Sequence, residues 1–428
     1  MLIITILALL ALIALSLPIS AVLGVMGIFL DVTFSQLPLS LAFGEVLWNH
    51  SRDFLLIIVP LFILMGEIIL HAGIAHRMYA AIVQWLSWLP GGLMHANIGT
   101  CALFAATSGS STATAATISM LALPEVDKRG YNERIFLGSL AAGGTLGILI
   151  PPSINMIVYA ALTDTSIPQL FLAGIIPGII LSLLYMLVII VLCLYRRDWG
   201  GRPVETSWEL RIKLLPDLVP PILLFIVVIG SIYAGFATPT EAASLGVIGA
   251  LLLAAWYKSL SWRMLWDVLE GSIRTGAMIT LILMCSFVLN FAVAAVGLVE
   301  QINAFILSLG WSPLGTMLFI IGIYILMGMV MDALPMVVLT VPILAPVVFS
   351  LGYDPVWFGI MVVLVSEASI LTPPVGILCY IIQGIRGRGS LNDVFYGVAP
   401  FMVALGTMIG LIVAYPQLAL WIPTLMYR

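Results

Sequence analysis

The chain has 428 residues, of which 62% are apolar and only 8% are Asp, Glu, Lys or Arg. A soluble domain carries about 25% charged residues, so this composition cannot cover a globular surface in water. A soluble enzyme, a nucleic-acid-binding protein and a disordered chain are therefore excluded, and the net charge of −4 is uninformative because so few charges contribute. The sequence predicts an all-α polytopic membrane protein.

Uncharged apolar runs long enough to cross a hydrocarbon core of about 30 Å predict the membrane helices. In chain order these helices span residues 2–30, 54–70, 135–163, 167–195, 218–240, 242–257, 275–299, 356–385 and 394–427.

Two further uncharged stretches do not fit simple spans. A run of Ser, Thr and Gly at 107–112 interrupts residues 96–123, and residues 301–353 are punctuated by Pro335, Pro342 and Pro346 and contain a single charge, Asp332. Non-helical backbone at membrane depth persists only where protein buries it or where it lines a cavity. We therefore expect two re-entrant helical hairpins, at about 92–126 and 312–351.

An internal repeat relates the two halves of the chain at an offset of 222 residues, which also places Ser110 on Asp332. The matches pair residues 23–27 with 245–249, Pro124 with Pro346, and the Pro-Pro pair at 151–152 with the pair at 373–374. Three matches at one offset predict two copies of one unit.

Basic residues predict that the two copies have opposite orientations in the membrane. Loop 127–134 is basic and its counterpart 349–356 is not, whereas loop 163–169 has no basic residue and its counterpart 385–391 has two. Because cytoplasmic loops carry the excess of Lys and Arg, this reversal indicates inverted repeats. We predict a first repeat at 1–195, a basic cytoplasmic linker at 196–217 and a second repeat at 218–428.

Inverted repeats with broken membrane segments are typical of secondary transporters, whose sites lie near the bilayer midplane. Two hairpins entering from opposite sides would bring residues 108–112 and 331–335 together there. The Pro-Pro pairs would break the helices that follow, because proline removes a backbone donor and clashes with the preceding turn. Carbonyls freed at such breaks suit a hard cation such as Na⁺, and helix N-termini suit an anion.

The candidate residues at these breaks each have a structural alternative. The small residues at 108–112 form either a binding tip or a close helix contact. Asp332 is either a functional intramembrane carboxylate or a helix cap. Asn155 is either a polar ligand or a partner in a helix-to-helix hydrogen bond.

Three glutamates are open to two interpretations as well. Glu241 follows Thr238-Pro239-Thr240 and fits a helix cap better than a substrate contact. Glu67 either faces the site or pairs with a neighbour, and Glu367 either supports the second site or pairs locally.

These motifs resemble the large membrane subunit of the tripartite ATP-independent periplasmic (TRAP) transporters, in the family's order and over essentially the whole chain. The matching segments are 60–67 (PLFILMGE), 108–116 (SGSSTATAA), 147–153 (GILIPPS), 235–243 (GFATPTEAA), 328–333 (GMVMDA) and 371–376 (LTPPVG).

The resemblance implies Na⁺-coupled uptake of an organic acid anion across the bacterial inner membrane by an elevator-type movement. It also implies two partners, a small four-helix membrane subunit and a periplasmic binding protein that delivers the substrate. There is no phosphate-binding loop of the G-x-x-x-x-G-K-[ST] type, so we expect no use of ATP.

The resemblance also indicates the site residues. Those expected at Na⁺ are Ser108, Gly109, Ser110, Gly143, Gly144, Thr145, Met331, Asp332, Ala333, Ser369, Thr372 and Pro373. Those expected at the substrate are Ser111, Thr112, Pro152, Ser153, Asn155 and Pro374.

Three other functions remain as alternatives. A related Na⁺/dicarboxylate carrier working alone would share the hairpins and the repeats. A channel does not need two re-entrant tips from opposite sides, and a membrane hydrolase lacks a G-x-S-x-G motif and paired metal ligands. The substrate itself, among dicarboxylates, sugar acids, keto acids and sulfonates, is not named by the sequence.

Overall fold

The structure is a computed structural model that describes residues 1–15, 17–35, 38–52, 55–308 and 310–427. Within these ranges every regular element is helical, as predicted. The first half contains α1 (Leu2–Ala14), α2 (Ile19–Phe34), α3 (Ser40–Ser51), α4 (Leu55–His71), α5 (Ile74–Leu86), α6 (Leu93–Ser108), α7 (Ser111–Ala122), α8 (Pro124–Arg129), α9 (Glu133–Leu149), α10 (Ile154–Thr163) and α11 (Ile167–Tyr195). The remainder contains α12 (Trp208–Leu214), α13 (Val219–Tyr233), α14 (Pro239–Trp256), α15 (Trp262–Ala295), α16 (Leu298–Ser308), α17 (Pro313–Gly328), α18 (Ala333–Ser350), α19 (Pro355–Leu371), α20 (Ile377–Arg386), α21 (Leu391–Ala414) and α22 (Gln417–Met426).

In the described part of the chain, six helical segments are long and apolar enough to cross a membrane, or eight if each of two bent helix pairs is one span. The six segments are Glu133–Thr163, Ile167–Tyr195, Pro239–Trp256, Trp262–Ala295, Ala333–Ser350 and Leu391–Ala414. The predicted polytopic membrane protein is confirmed.

Four predicted helix boundaries are wrong. The predicted helix at 218–240 ends at Tyr233, and Pro239 already begins α14. The predicted helix at 2–30 is two helices, because the chain turns at Pro18 and α2 begins after it. The predicted helix at 275–299 is the later part of α15, since charged residues such as Arg263 and Arg274 end the uncharged run without ending the helix. The predicted helix at 394–427 breaks before Pro416, which precedes α22. The predicted start at residue 54 lies outside the described residues.

The helices repeat at the offset found in the sequence. α9 and α19 are related by 222 residues at both ends, and each hairpin precedes its helix: α6 and α7 before α9, α17 and α18 before α19. Each broken helix contacts the hairpin of the other half, since α10 packs on α18 and α20 packs on α7. The two halves therefore interlock at their hairpins.

Contacts between loops show that the halves run in opposite directions, as predicted. At one end, ion pairs join loop 127–134 to residues 386–393: Arg388 to Asp127 at 2.6 Å, Arg386 to Glu133 at 2.8 Å and Arg134 to Asp393 at 2.9 Å. The hydrogen bond from Arg388 lowers the pKa of the exposed Asp127 carboxyl. The basic linker joins the same end, where the Arg202 N–H donates to the carbonyl of Arg129 at 2.8 Å.

The counterpart of loop 127–134 lies at the opposite end of the molecule. There the Tyr159 hydroxyl of α10 donates to the carbonyl of Pro355 at 2.7 Å, so residues 349–356 lie beside the end of α10 that is remote from the basic loops.

The core forms around α9 and α19. All residues of α9 from Ile135 onward are buried, and so are all residues of α19 from Val356 onward. α9 and α21 meet at Gly138 and Gly397, where a Cβ on either residue would overlap the backbone of the opposite helix. This backbone contact brings the two helices together without intervening side chains.

Candidate functional site at the hairpin tips

The tip of hairpin one is the link between α6 and α7. Gly109 joins them with a φ of +60°, a left-handed conformation that suits glycine. Ser110 then caps α7, with its Oγ accepting from the N–H of Ala113 at 3.4 Å. The polar run predicted from the sequence is therefore a helix break that exposes the N-terminus of α7.

Two glycines allow neighbouring helices to approach this tip. A Cβ on Gly147 of α9 would lie 2.5 Å from the carbonyl oxygen of Ser110, and a Cβ on Gly66 of α4 would lie 3.3 Å from Cα of Ser108. The tip therefore packs closely against α9 on one side and against α4 on another.

The tip of hairpin two has the same design with a charged cap. Asp332 is the residue before α18, and its Oδ1 accepts from the N–H of Ala333 at 2.8 Å. Gly328 at the end of α17 packs directly on the side chain of Ser369 in α19. Asp332 is therefore a helix cap, and it also lines a cavity.

One cavity of about 790 Å³ reaches both tips. It is lined by residues 108–112 of hairpin one, by Asp332, Ala333, Leu334 and Pro335 of hairpin two, and by Ile154 and Asn155 at the start of α10. Gly66 and Glu67 of α4, Pro18, Ile19 and Ser20 before and within α2, and Thr275, Met278, Ile279, Leu281 and Ile282 of α15 form further parts of its wall.

The charges in this cavity are acidic. Glu67 and Asp332 line it, and no Lys, Arg or His is among its described lining residues. Glu67 lies 3.5 Å from the ring of His71, one helical turn away. The N-termini of α7, α10 and α18 also face the cavity, and each provides N–H groups that have no partner within its helix. An anion and a cation can therefore both be accommodated.

Glu367 of α19 connects the two halves next to the cavity. The Ser111 hydroxyl at the tip of hairpin one donates to Glu367 Oε1 at 2.5 Å, although the two residues are 256 positions apart. Glu367 is fully buried, and its Oε2 has no hydrogen-bond partner. Neither interpretation of Glu367 anticipated this contact, which joins α19 to the hairpin tip of the other half.

The structure brings eight of the predicted site residues to the cavity wall: Ser108, Gly109, Ser110, Ser111, Thr112, Asn155, Asp332 and Ala333. Gly143 and Gly144 instead pack against Cys101 and Ala115 of hairpin one. The Thr145 hydroxyl lies 3.0 Å from that of Tyr185.

The other predicted residues lie beside the cavity and do not line it. The hydroxyls of Ser369 and Thr372 donate to carbonyls within α19, at 2.6 and 2.7 Å. The remaining residues of this group are Pro152, Ser153, Met331, Pro373 and Pro374. Both Pro-Pro peptide bonds are cis; the first pair is buried, whereas the second is exposed.

Sequence reasoning missed the wall formed by α2 and α15. Thr275 and Ser20 lie in apolar helices, where a single hydroxyl does not indicate that a position faces a cavity. Glu67 had such a signal, a charge inside an apolar helix, and its place in the cavity wall supports the interpretation that it faces the site. Glu241, in contrast, forms a capping box with Thr238, as expected of a structural residue.

The inverted halves, broken helices and paired hairpin tips at one cavity define a membrane transporter of the inverted-repeat class. A family model described as the tripartite ATP-independent periplasmic transporter, DctM component, matches residues 6–418. The chain therefore belongs to this family, whose large permeases are multi-pass proteins of the bacterial inner membrane.

Two curated relatives are similar over nearly their full lengths. The C4-dicarboxylate TRAP transporter large permease protein DctM of Rhodobacter capsulatus is 32% identical, with 98% of each chain covered. The sialic acid TRAP transporter large permease protein SiaM of Vibrio cholerae is 30% identical, with 94% of this chain and 97% of the relative covered. Their different substrates leave open which organic acid this chain carries.

A solved structure is similar in fold. The crystal structure of the YdaH transporter of Alcanivorax borkumensis superposes with a TM-score of 0.67 at 15% identity, covering 99% of this chain and 98% of the other. This likeness shows a shared fold over the whole chain.

Proposed function

We propose that this chain is the membrane permease that carries out Na⁺-coupled uptake of an organic acid anion across the bacterial inner membrane. The observation that supports this most directly is the single cavity at which both hairpin tips meet, with the Asp332 carboxylate and several helix N-termini on its wall. The carboxylate suits a cation, and the helix N-termini suit an anion.

The cation is proposed to bind near Asp332. A carboxylate removed from water costs several kcal/mol unless a cation or hydrogen bonds offset the loss, and one hydrogen bond, from Ala333, is present. The oxygens of Ser108, Ser110 and Thr112 are hard donors on the opposite tip. Na⁺ bound between the tips would also bring positive charge to the anionic substrate.

Movement by an elevator mechanism is part of this proposal. The hairpins, α9, α19 and α21 pack together through backbone contacts such as Gly138 against Gly397. On the other side of the cavity lie α2 and α4, both of which contact α15. A cavity between two such groups allows the hairpin group to slide past the other group with its substrate.

Two partners complete the proposed system: a small four-helix membrane subunit and a periplasmic binding protein that delivers the substrate. Support comes from membership of a family whose description is tripartite. The chain would supply the transport pathway, and the small subunit would hold the fixed helices in place.

The test is uptake in proteoliposomes with each component added in turn. The chain alone is expected to give little uptake, and addition of the small subunit, the binding protein and a Na⁺ gradient is expected to give full uptake. Replacing Na⁺ by K⁺ at the same ionic strength is the control. Full uptake by the chain alone would contradict the proposal and favour a carrier that works without partners. Uptake that does not depend on Na⁺ would contradict the proposed sodium coupling.

A further inference from the structure

The two hairpin tips differ in charge although they occupy equivalent places in the repeat. The N-terminus of a helix is equivalent to roughly half a positive charge. At α18 the Asp332 carboxylate accepts from the first N–H and compensates that charge, whereas at α7 the cap is the neutral hydroxyl of Ser110. The N-terminus with a neutral cap therefore belongs to hairpin one, where the Glu367 carboxyl group accepts from the hydroxyl of Ser111.

A second helix N-terminus with a neutral cap lies beside it. α10 begins after Ser153, whose Oγ accepts from the N–H of Met156 at 3.4 Å, and Ile154 and Asn155 of its first turn line the cavity. The tip of hairpin one touches this region, because a Cβ on Gly109 would lie 2.8 Å from the carbonyl oxygen of Pro152. Two N-termini therefore converge on one part of the cavity.

Asn155 provides an independent indication of a ligand there. Its side chain is 96% buried, and its Nδ2 has no hydrogen-bond partner in the protein. A buried amide that donates to nothing is costly, so its position at a cavity wall indicates an acceptor supplied by a bound molecule. Amide N–H groups and helix N-termini together suit a carboxylate.

The rest of the cavity does not suit a second anionic group. α15 contributes a mainly apolar wall of Met278, Ile279 and Ile282 with the single hydroxyl of Thr275, and the repeat-related pair Ile148 and Ile370 extends it. The ionisable groups among the described lining residues, Glu67 and Asp332, are acids. A second carboxylate would thus meet apolar side chains or Glu67, and at Asp332 it would compete with the carboxylate that already balances the proposed Na⁺.

We infer that the substrate is a monocarboxylate with an apolar body, bound with its carboxylate at Asn155 and the N-termini of α7 and α10, and with its body against α15. This inference rests on the proposed function and narrows the class of substrate. The apolar wall has no groups that match the second carboxylate of a dicarboxylate or the hydroxyls of a sugar acid.

The test is direct binding of acids to the full-length chain in lipid nanodiscs, measured by calorimetry in NaCl and in choline chloride. Binding to the chain itself avoids the selectivity of any delivery protein. Burying one more methylene stabilises the complex by about 0.8 kcal/mol. From butanoate to hexanoate, affinity is therefore expected to rise roughly fourfold per methylene. Succinate, which has the length of butanoate, is expected to bind more weakly than butanoate.

The matched variant is Asn155→Leu, which keeps the size of the side chain but removes the amide. Monocarboxylate affinity is expected to fall roughly tenfold, the effect of one hydrogen bond to a charged group. Thr407→Val on the exposed face of α21 is the control and is expected to bind as the wild type does. If Asn155→Leu does not fold, the wild-type methylene series decides the question.

Two results would overturn the inference in different ways. Succinate or N-acetylneuraminate binding more tightly than hexanoate would refute the monocarboxylate while leaving anion transport intact. Na⁺-independent binding, or no binding of any acid, would refute the proposed function along with it.

Discussion

Gly147 of α9 provides a sharp test of whether the position of hairpin one controls transport. In Gly147→Ala the new methyl group would lie 2.5 Å from the Ser110 carbonyl oxygen and 2.7 Å from Cα of Ser111. Ordinary contacts begin near 3.4 Å, so the tip must move by about 1 Å. That shift would displace Ser110, Ser111 and the N-terminus of α7 relative to the cavity.

The cost to folding is expected to be small compared with the loss of transport. Overpacking costs about 1–3 kcal/mol, and the helix propensity of alanine returns up to about 1 kcal/mol. A displacement of about 1 Å at a site that must align its ligands can cost about 100-fold in rate. We therefore expect near-normal folding with uptake reduced by one to two orders of magnitude.

The assay is initial uptake by Gly147→Ala at matched membrane levels, together with its thermal unfolding in detergent. Gly406→Ala in α21 is the control, because a Cβ there meets nothing within 4 Å. Wild-type uptake and stability in Gly147→Ala would refute the claim that the close fit of α9 positions the tip.

Three further changes test separate parts of the account. Glu367→Gln keeps an acceptor for the Ser111 hydroxyl and is expected to retain uptake. Glu367→Leu leaves that hydroxyl unpaired and is expected to raise KM, and an equal loss of uptake in both variants would contradict this role. Arg386→Leu removes the ion pair between an almost fully buried guanidinium and Glu133. It is expected to lower the free energy of unfolding by about 2 kcal/mol in urea titrations, whereas the control Arg196→Leu is expected to leave that free energy unchanged. Single cysteines at Lys128 and Tyr353 are expected to label only from the cytoplasm and only from the periplasm, and labelling from the same side would end the inverted-repeat argument.

The fold was predictable from sequence because its departures from ordinary membrane helices are conspicuous. A polar run at 107–112, a lone Asp332 and two Pro-Pro pairs cannot occur in lipid-facing helices, so each indicates a break that protein must cover. The distribution of basic residues among the loops then predicted the opposite orientations of the two halves. The ends of α15 and the division of residues 2–30 were missed, since charge ends an uncharged run without ending a helix.

The cavity was only partly predictable. The tip residues were identified because their polarity is unusual, but the Thr145 hydroxyl meets Tyr185 of α11 and the Ser369 hydroxyl donates within α19, while Ile148 and Ile370 line the wall. Which face of a buried helix meets a cavity depends on tertiary packing, and α9 and α19 are buried on every face. The bond from Ser111 to Glu367 joins residues of different halves, so local spacing carries no trace of it.

Na⁺ binding at Asp332 is the central claim, and one measurement tests it most directly. Uptake is recorded against Na⁺ concentration for wild type, Asp332→Asn and the control Glu241→Gln, at matched membrane levels. Asparagine caps a helix nearly as well as aspartate, so Asp332→Asn is expected to fold. The account predicts a weakened Na⁺ response or no coupled uptake in Asp332→Asn alone; overlapping curves for all three proteins would show that Asp332 is only a helix cap.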